Sequence, residues 1–196
     1  MKKWISLLLS GMLILTAGCG SRQETASDLT PVTLNEVAHS IFYAPQYVAI
    51  ENGYFAEEGI ELTLVTGFGA DKVATALVSG EADIGFMGSE SSIYIYNQNP
   101  EDYIINFAQL TQRAGNFLVA REPMEDFKWE DLKGTYVLGG RKGGMPQMVF
   151  EFILKKNGID PAADLSIDQS IDFGSTAAAF TGNDAEFTVE HEKKYT

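Results

Sequence analysis

Cysteine is almost missing from this chain. Cys19 is the single one, so no intrachain disulfide can form and no thiolate cluster can hold a metal. Histidine is nearly as scarce, and His39 and His191 alone cannot build a metal centre. No Ser-His-Asp order with supporting motifs occurs, and nothing marks an activated nucleophile, so no catalytic constellation is legible. Positive charge is also short. Fourteen Lys and Arg face 27 Asp and Glu, a formal charge of −13, or about −15 without the early Lys2 and Lys3. Such a chain is a poor partner for nucleic acid or for an anionic membrane surface, and any anion site must be local. Nucleotide loops are absent: there is no Gly-x-x-x-x-Gly-Lys-Ser/Thr, and Gly67 and Gly69 do not complete a dinucleotide fingerprint. Neither a cofactor nor a metal is expected.

What is present begins with one short apolar run. Lys2 and Lys3 precede Trp4–Leu15, and small residues follow at Ala17 and Gly18. A positive start, an apolar stretch and a small-residue exit are the layout of a secretory signal. The run is shorter than the ~20 residues that a transmembrane helix needs. Cys19 directly after Ala17-Gly18 resembles a bacterial lipobox, although Thr16 stands where that motif usually has Leu. The reading is a lipoprotein signal peptide over 1–18, lipidation at Cys19 and a lipid-anchored tether over 19–30.

Beyond the tether, strand-like and helix-like patches alternate, the pattern of an α/β fold. Strands are expected at 32–37, 61–65, 84–87, 104–108, 117–120, 136–138, 165–167 and 187–189. Helices are expected after Pro45, after Asp71 as a cap, after Ser89, around Pro146 and over 175–180. Gly53, Gly80 and Gly158 are placed to stop three of them. Val149, Phe152 and Ile153 are read as the buried stripe of the Pro146 helix.

Four segments together carry a family resemblance. They are His39–Ala49, Glu51–Ile60, Leu77–Gly85 and Gly139–Pro146. In this order they resemble the substrate-binding lipoproteins of ABC importers, in the sulfonate, nitrate and thiamine-pyrimidine-precursor family. The resemblance implies a type II periplasmic-binding-protein fold, with two α/β lobes, a hinge and a ligand in the cleft between them. It implies a small-molecule solute, ABC permease and ATPase partners and no nucleic acid. The expected division is lobe one over 31–121, a partial lobe two over 122–192 and an aberrant tail over 193–196. Family members run well beyond this length, which keeps a nonfunctional truncated fragment, or a surface lipoprotein without a transport role, as the alternative.

In open α/β sheets, ligands meet the carboxyl ends of the strands. Those ends point to Ser40, Phe42, Tyr43, Gly69, Ser89, Glu90 and Gln112. Phe42 and Tyr43 suit stacking on a flat heterocycle. Ser89 equally suits a helix cap, and Glu90 suits either an amine or ring N–H of a ligand or simply the helix N-terminus beside it. Arg141, Lys142, Gly143, Gly144 and Met145 form the sharpest local signal. Free N–H groups at a helix start, bare glycines and two cations there make an expected anion cradle.

Overall fold

The computed structural model describes residues 29–113 and 115–191. The signal segment, Cys19, most of the tether and the tail from 192 lie outside the described residues.

The first sheet is parallel, with β1 (Thr30–Glu36) between β2 (Ile60–Thr66) and β3 (Ile84–Phe86). Leu34 is in register with Leu64 on one side and Ile84 on the other. Parallel neighbours need crossovers. α1 (Ala44–Glu51) and α2 (Tyr54–Glu57) connect β1 to β2, and α3 (Ala70–Ser79) connects β2 to β3. α3 buries Ala70, Val73, Ala74 and Ala76 and ends at Gly80, whose φ of 76° is left-handed. α4 (Glu90–Gln98) follows β3.

The second sheet has the order β4 (Asn116–Ala120), β7 (Phe187–His191), β5 (Tyr136–Leu138), β6 (Ser166–Asp168). β4 runs antiparallel to β7 and the other pairs are parallel. α5 (Met145–Lys156) links β5 to β6, and α6 (Thr176–Gly182) links β6 to β7. Leu132, Val137, Leu154 and Ile159 are almost fully buried in its core, together with Phe150 and Phe187.

Four sequence expectations need correction. Residues 104–108 form no strand; Ile105 and Phe107 are 70% and 76% exposed. A strand requires a ladder partner for its N–H and C=O groups, and the described first sheet offers this segment none. β4, assigned to lobe one, pairs with β7 instead, so the passage between sheets lies within 99–115. Asp71 is not the cap of α3: Gly69 holds that position, and Asp71 stands in the first turn. α5 buries Phe150 and Leu154, four residues apart on one face, and leaves Phe152 57% exposed.

Candidate functional site

The first loop of the cleft is held from below by a buried carboxylate. Glu36 ends β1 with no solvent exposure. Its Oε2 accepts from Gln46 Nε2 at 2.9 Å and from the Tyr47 hydroxyl at 2.8 Å. Its Oε1 accepts from the Thr66 hydroxyl at 3.1 Å and lies 3.1 Å from His39 Nδ1. Burial, reinforced by the bond to Glu36, pushes the Tyr47 hydroxyl pKa well above its ordinary value. The Ser40 N–H donates to that hydroxyl at 3.0 Å. A buried carboxylate is tolerable only with such donors, and these donors fix the 39–43 turn.

That turn aims aromatics at the cleft. Tyr43 is buried against Phe86, with ring centroids 4.3 Å apart. Burial first, then the charges of Glu36 and Glu90, raise its pKa to about 12. The Phe42 ring packs on Gly115 and lies 5.5 Å from His191 in the second sheet. Phe173 completes this wall at 4.8 Å from His191.

The two sheets are clasped across the cleft by Arg141. Its Nε and Nη2 donate to both oxygens of Asp71, at 2.8 and 2.7 Å, and its Nη1 donates to Asp172 at 2.6 Å. The paired geometry matches the guanidinium fork to a carboxylate. Arg141 holds the Asp71 carboxyl below its usual range, chiefly through the hydrogen bonds. Lys72 adds a 3.3 Å ion pair to Asp172. A Cβ on Gly69 would lie 2.6 Å from Arg141 Nε, so the guanidinium needs that glycine bare. Nearby, Phe68 sits at a φ of 59°, a left-handed conformation disfavoured for a bulky residue, and its carbonyl accepts from the Phe173 N–H at 3.4 Å.

A cavity of about 1020 Å³ lies between these walls and extends along 102–113, at the upper end of ordinary ligand pockets. Of the residues expected from sequence, Phe42, Tyr43, Gly69, Ser89, Glu90, Gln112, Arg141, Gly144 and Met145 line it. Ser40, Lys142 and Gly143 do not. Ser40 Oγ accepts from the Phe42 N–H at 3.3 Å and shapes the turn. Lys142 is exposed. The expected anion cradle has its donors already engaged. The Lys142 N–H donates to the Gln169 carbonyl at 2.9 Å, Gly143 to Gln147 Oε1 at 3.1 Å, and Gly144 to the Arg141 carbonyl at 3.2 Å. Ser89 occupies the cap position of α4 but makes no side-chain cap bond.

Sequence reasoning missed Phe173, Asn116 and the carboxylate partners of Arg141. The loop Asp172-Phe173-Gly174 follows the carboxyl end of β6, so the strand-end rule could have found it.

Among the described residues no group of acidic, His or Cys side chains could hold a metal ion. No helix among them is long and apolar enough to cross a membrane.

Two α/β sheets facing each other across a cleft at their strand ends define the type II periplasmic-binding-protein class. Residues 41–190 match the family model described as "NMT1/THI5 like", and the chain belongs to that family. It is 47% identical over 190 residues to "Putative binding protein YtlA" of Bacillus subtilis (strain 168). That match covers 95% of this chain and 56% of the relative, so the chain spans just over half the relative's length. A solved Bordetella bronchiseptica RB50 protein superimposes with a TM-score of 0.68 at 22% identity, over 85% of this chain and 52% of that one. The alkanesulfonate-binding protein SsuA from Xanthomonas axonopodis pv. citri bound to MOPS gives 0.58 at 16% identity, over 85% and 56%. These two likenesses concern the fold.

Proposed function

We propose that the protein is the extracytoplasmic solute-binding component of an ABC importer, and not an enzyme. It captures a small anionic or heterocyclic solute, of sulfonate or pyrimidine-precursor type, and delivers it to permease and ATPase subunits. The carrying observation is the end of the cavity where Phe42, Tyr43 and Gly69 of the first sheet's strand-end loops face Arg141, Gly144 and Phe173 of the second's; the rest of its volume of about 1020 Å³ follows the open edge of β3 from Asp83 to Met87. Family membership supports it, as does the alkanesulfonate ligand class named for a protein of the same fold. Anchoring through a lipidated Cys19 belongs to the same reading, and mass spectrometry of the N-terminal peptide checks it. An unmodified Cys19 would refute the anchor.

Titration calorimetry of the full chain against ethanesulfonate, nitrate and 4-aminopyrimidine tests the central claim. Saturable binding of one solute at a single site is expected. An absence of heat with every solute, extended to amine and amidine probes, would remove the solute-binding reading.

A further inference from the structure

Among the described residues, Glu90 is the one cavity-lining carboxylate that is almost wholly buried, at 3% exposure. Neither of its oxygens has a hydrogen-bond donor in bonding geometry among the described residues. This differs sharply from Glu36, which is equally buried and has donors on both oxygens. Gly88 makes room for Glu90: a Cβ there would overlap the carboxylate. Burial pushes the Glu90 pKa up, opposed only by the N–H groups of Glu90 itself and of Met145. Met145 begins α5. The protein's own carboxylate therefore faces the helix start where an anionic solute was expected.

The other charges do not compensate. The guanidinium of Arg141 is turned onto Asp71 and Asp172. Among the described residues lining the cavity, the carboxylates of Glu90 and Asp102 stand against the cations Arg113 and Arg141, while Asp83 lies at the amino end of β3 and accepts from the Thr33 N–H at 2.8 Å. With Arg141 already neutralised by two carboxylates outside that lining, the balance at the cavity is negative. A second unpartnered acceptor, Asn116 Oδ1, also lines it; an amide can turn to donate, so Glu90 weighs more.

We propose that Glu90 selects the solute, and that the solute presents a protonated nitrogen, an ammonium or a planar amidinium, to its carboxylate. This rests on the reading of the cleft as a solute site. Within that reading it decides against oxyanions. A sulfonate or phosphonate placed at the start of α5 would meet a like charge in a dry setting, whereas a cation supplies the donors that Glu90 lacks. The aromatic wall of Phe42, Tyr43 and Phe86 favours the planar amidinium.

Calorimetry of the full chain with benzamidinium chloride, propylammonium chloride, ethanesulfonate and methylphosphonate tests this, in the parent and in Glu90→Gln. Benzamidinium is expected to bind the parent, and Glu90→Gln to weaken it about tenfold to a hundredfold, the loss of a charge-assisted bond. Glu90→Asp keeps the charge and is expected to fall between. The Gln variant keeps the side chain's shape while removing a buried charge, and its circular dichroism should match the parent's. Amidinium binding unchanged in Glu90→Gln would overturn the proposal. So would binding of ethanesulfonate or methylphosphonate in place of the cations, with the solute-binding reading left standing. Silence from all four probes would overturn the proposal, and silence from ethanesulfonate, nitrate and 4-aminopyrimidine as well would remove the reading beneath it.

Discussion

At the scale of single residues, the charges of this cleft do three different jobs. Glu36 is buried and saturated with donors, so it braces a turn. Glu90 is buried and lacks donors in bonding geometry, which suits it to meet a solute. Asp71 is partly exposed and shares Arg141 with Asp172, so it joins the two sheets. The Asp71–Arg141 pair gives a clear pH expectation. The Asp71 pKa in the folded protein is lowered from 3.8, mainly by hydrogen bonds from Arg141. A depressed carboxyl contributes stability that is fully present above the unfolded pKa and lost as pH falls through the folded one. Asp71→Asn should therefore cost about 1 kcal/mol at pH 7, an amount kept small because the pair is partly solvated. Urea denaturation should show the gap between parent and variant closing as pH drops below 3.8. A gap that persists in strong acid would mean the carboxylate charge is not what matters.

Among the elements, α3 was legible in its inner side and its end, though not in its cap. Val73, Ala76 and Leu77 share its inner side, and Gly80 stops it in a left-handed turn. A Cβ on Gly80 would meet nothing within 4 Å. Gly80→Ala should thus cost only the backbone strain of that conformation, about 1 kcal/mol. A lowered urea midpoint with an unchanged slope is the expected result, and an unchanged midpoint would show that the turn relaxes freely. α5 was harder to read. Met148, Val149, Phe150, Phe152, Ile153 and Leu154 leave it apolar almost all round, so periodicity cannot say which side faces the core. The second sheet decided, taking Phe150 and Leu154.

For the whole molecule, the notable surface is the stretch from Tyr103 to Leu110, which lines the same cavity as the edge strand β3. Tyr103, Ile105, Phe107 and Leu110 are all exposed, and β3 is an edge of the described first sheet. An open edge next to exposed apolar side chains invites pairing between copies. Light scattering should show self-association that rises with concentration, and Ile105→Thr with Phe107→Ser should reduce it. Equal scattering by parent and double variant would clear this stretch of the role.

The α/β class and most element positions were legible in the sequence. Those features depend on local chemistry: hydrophobic period, turn glycines, and prolines near helix starts. The sequence by itself also determined that no disulfide could brace the fold. Tertiary structure alone decided which loop charges were already taken. Arg141 and the glycines after it looked like a free anion cradle, because sequence shows donors but not their partners. Asp71 lies seventy residues away and Asp172 thirty-one, and only the folding of two sheets against each other brings them to the guanidinium. The same long-range packing that consumed those donors buried Glu90 with no donor in bonding geometry, only the nearby N–H groups of its own residue and of Met145.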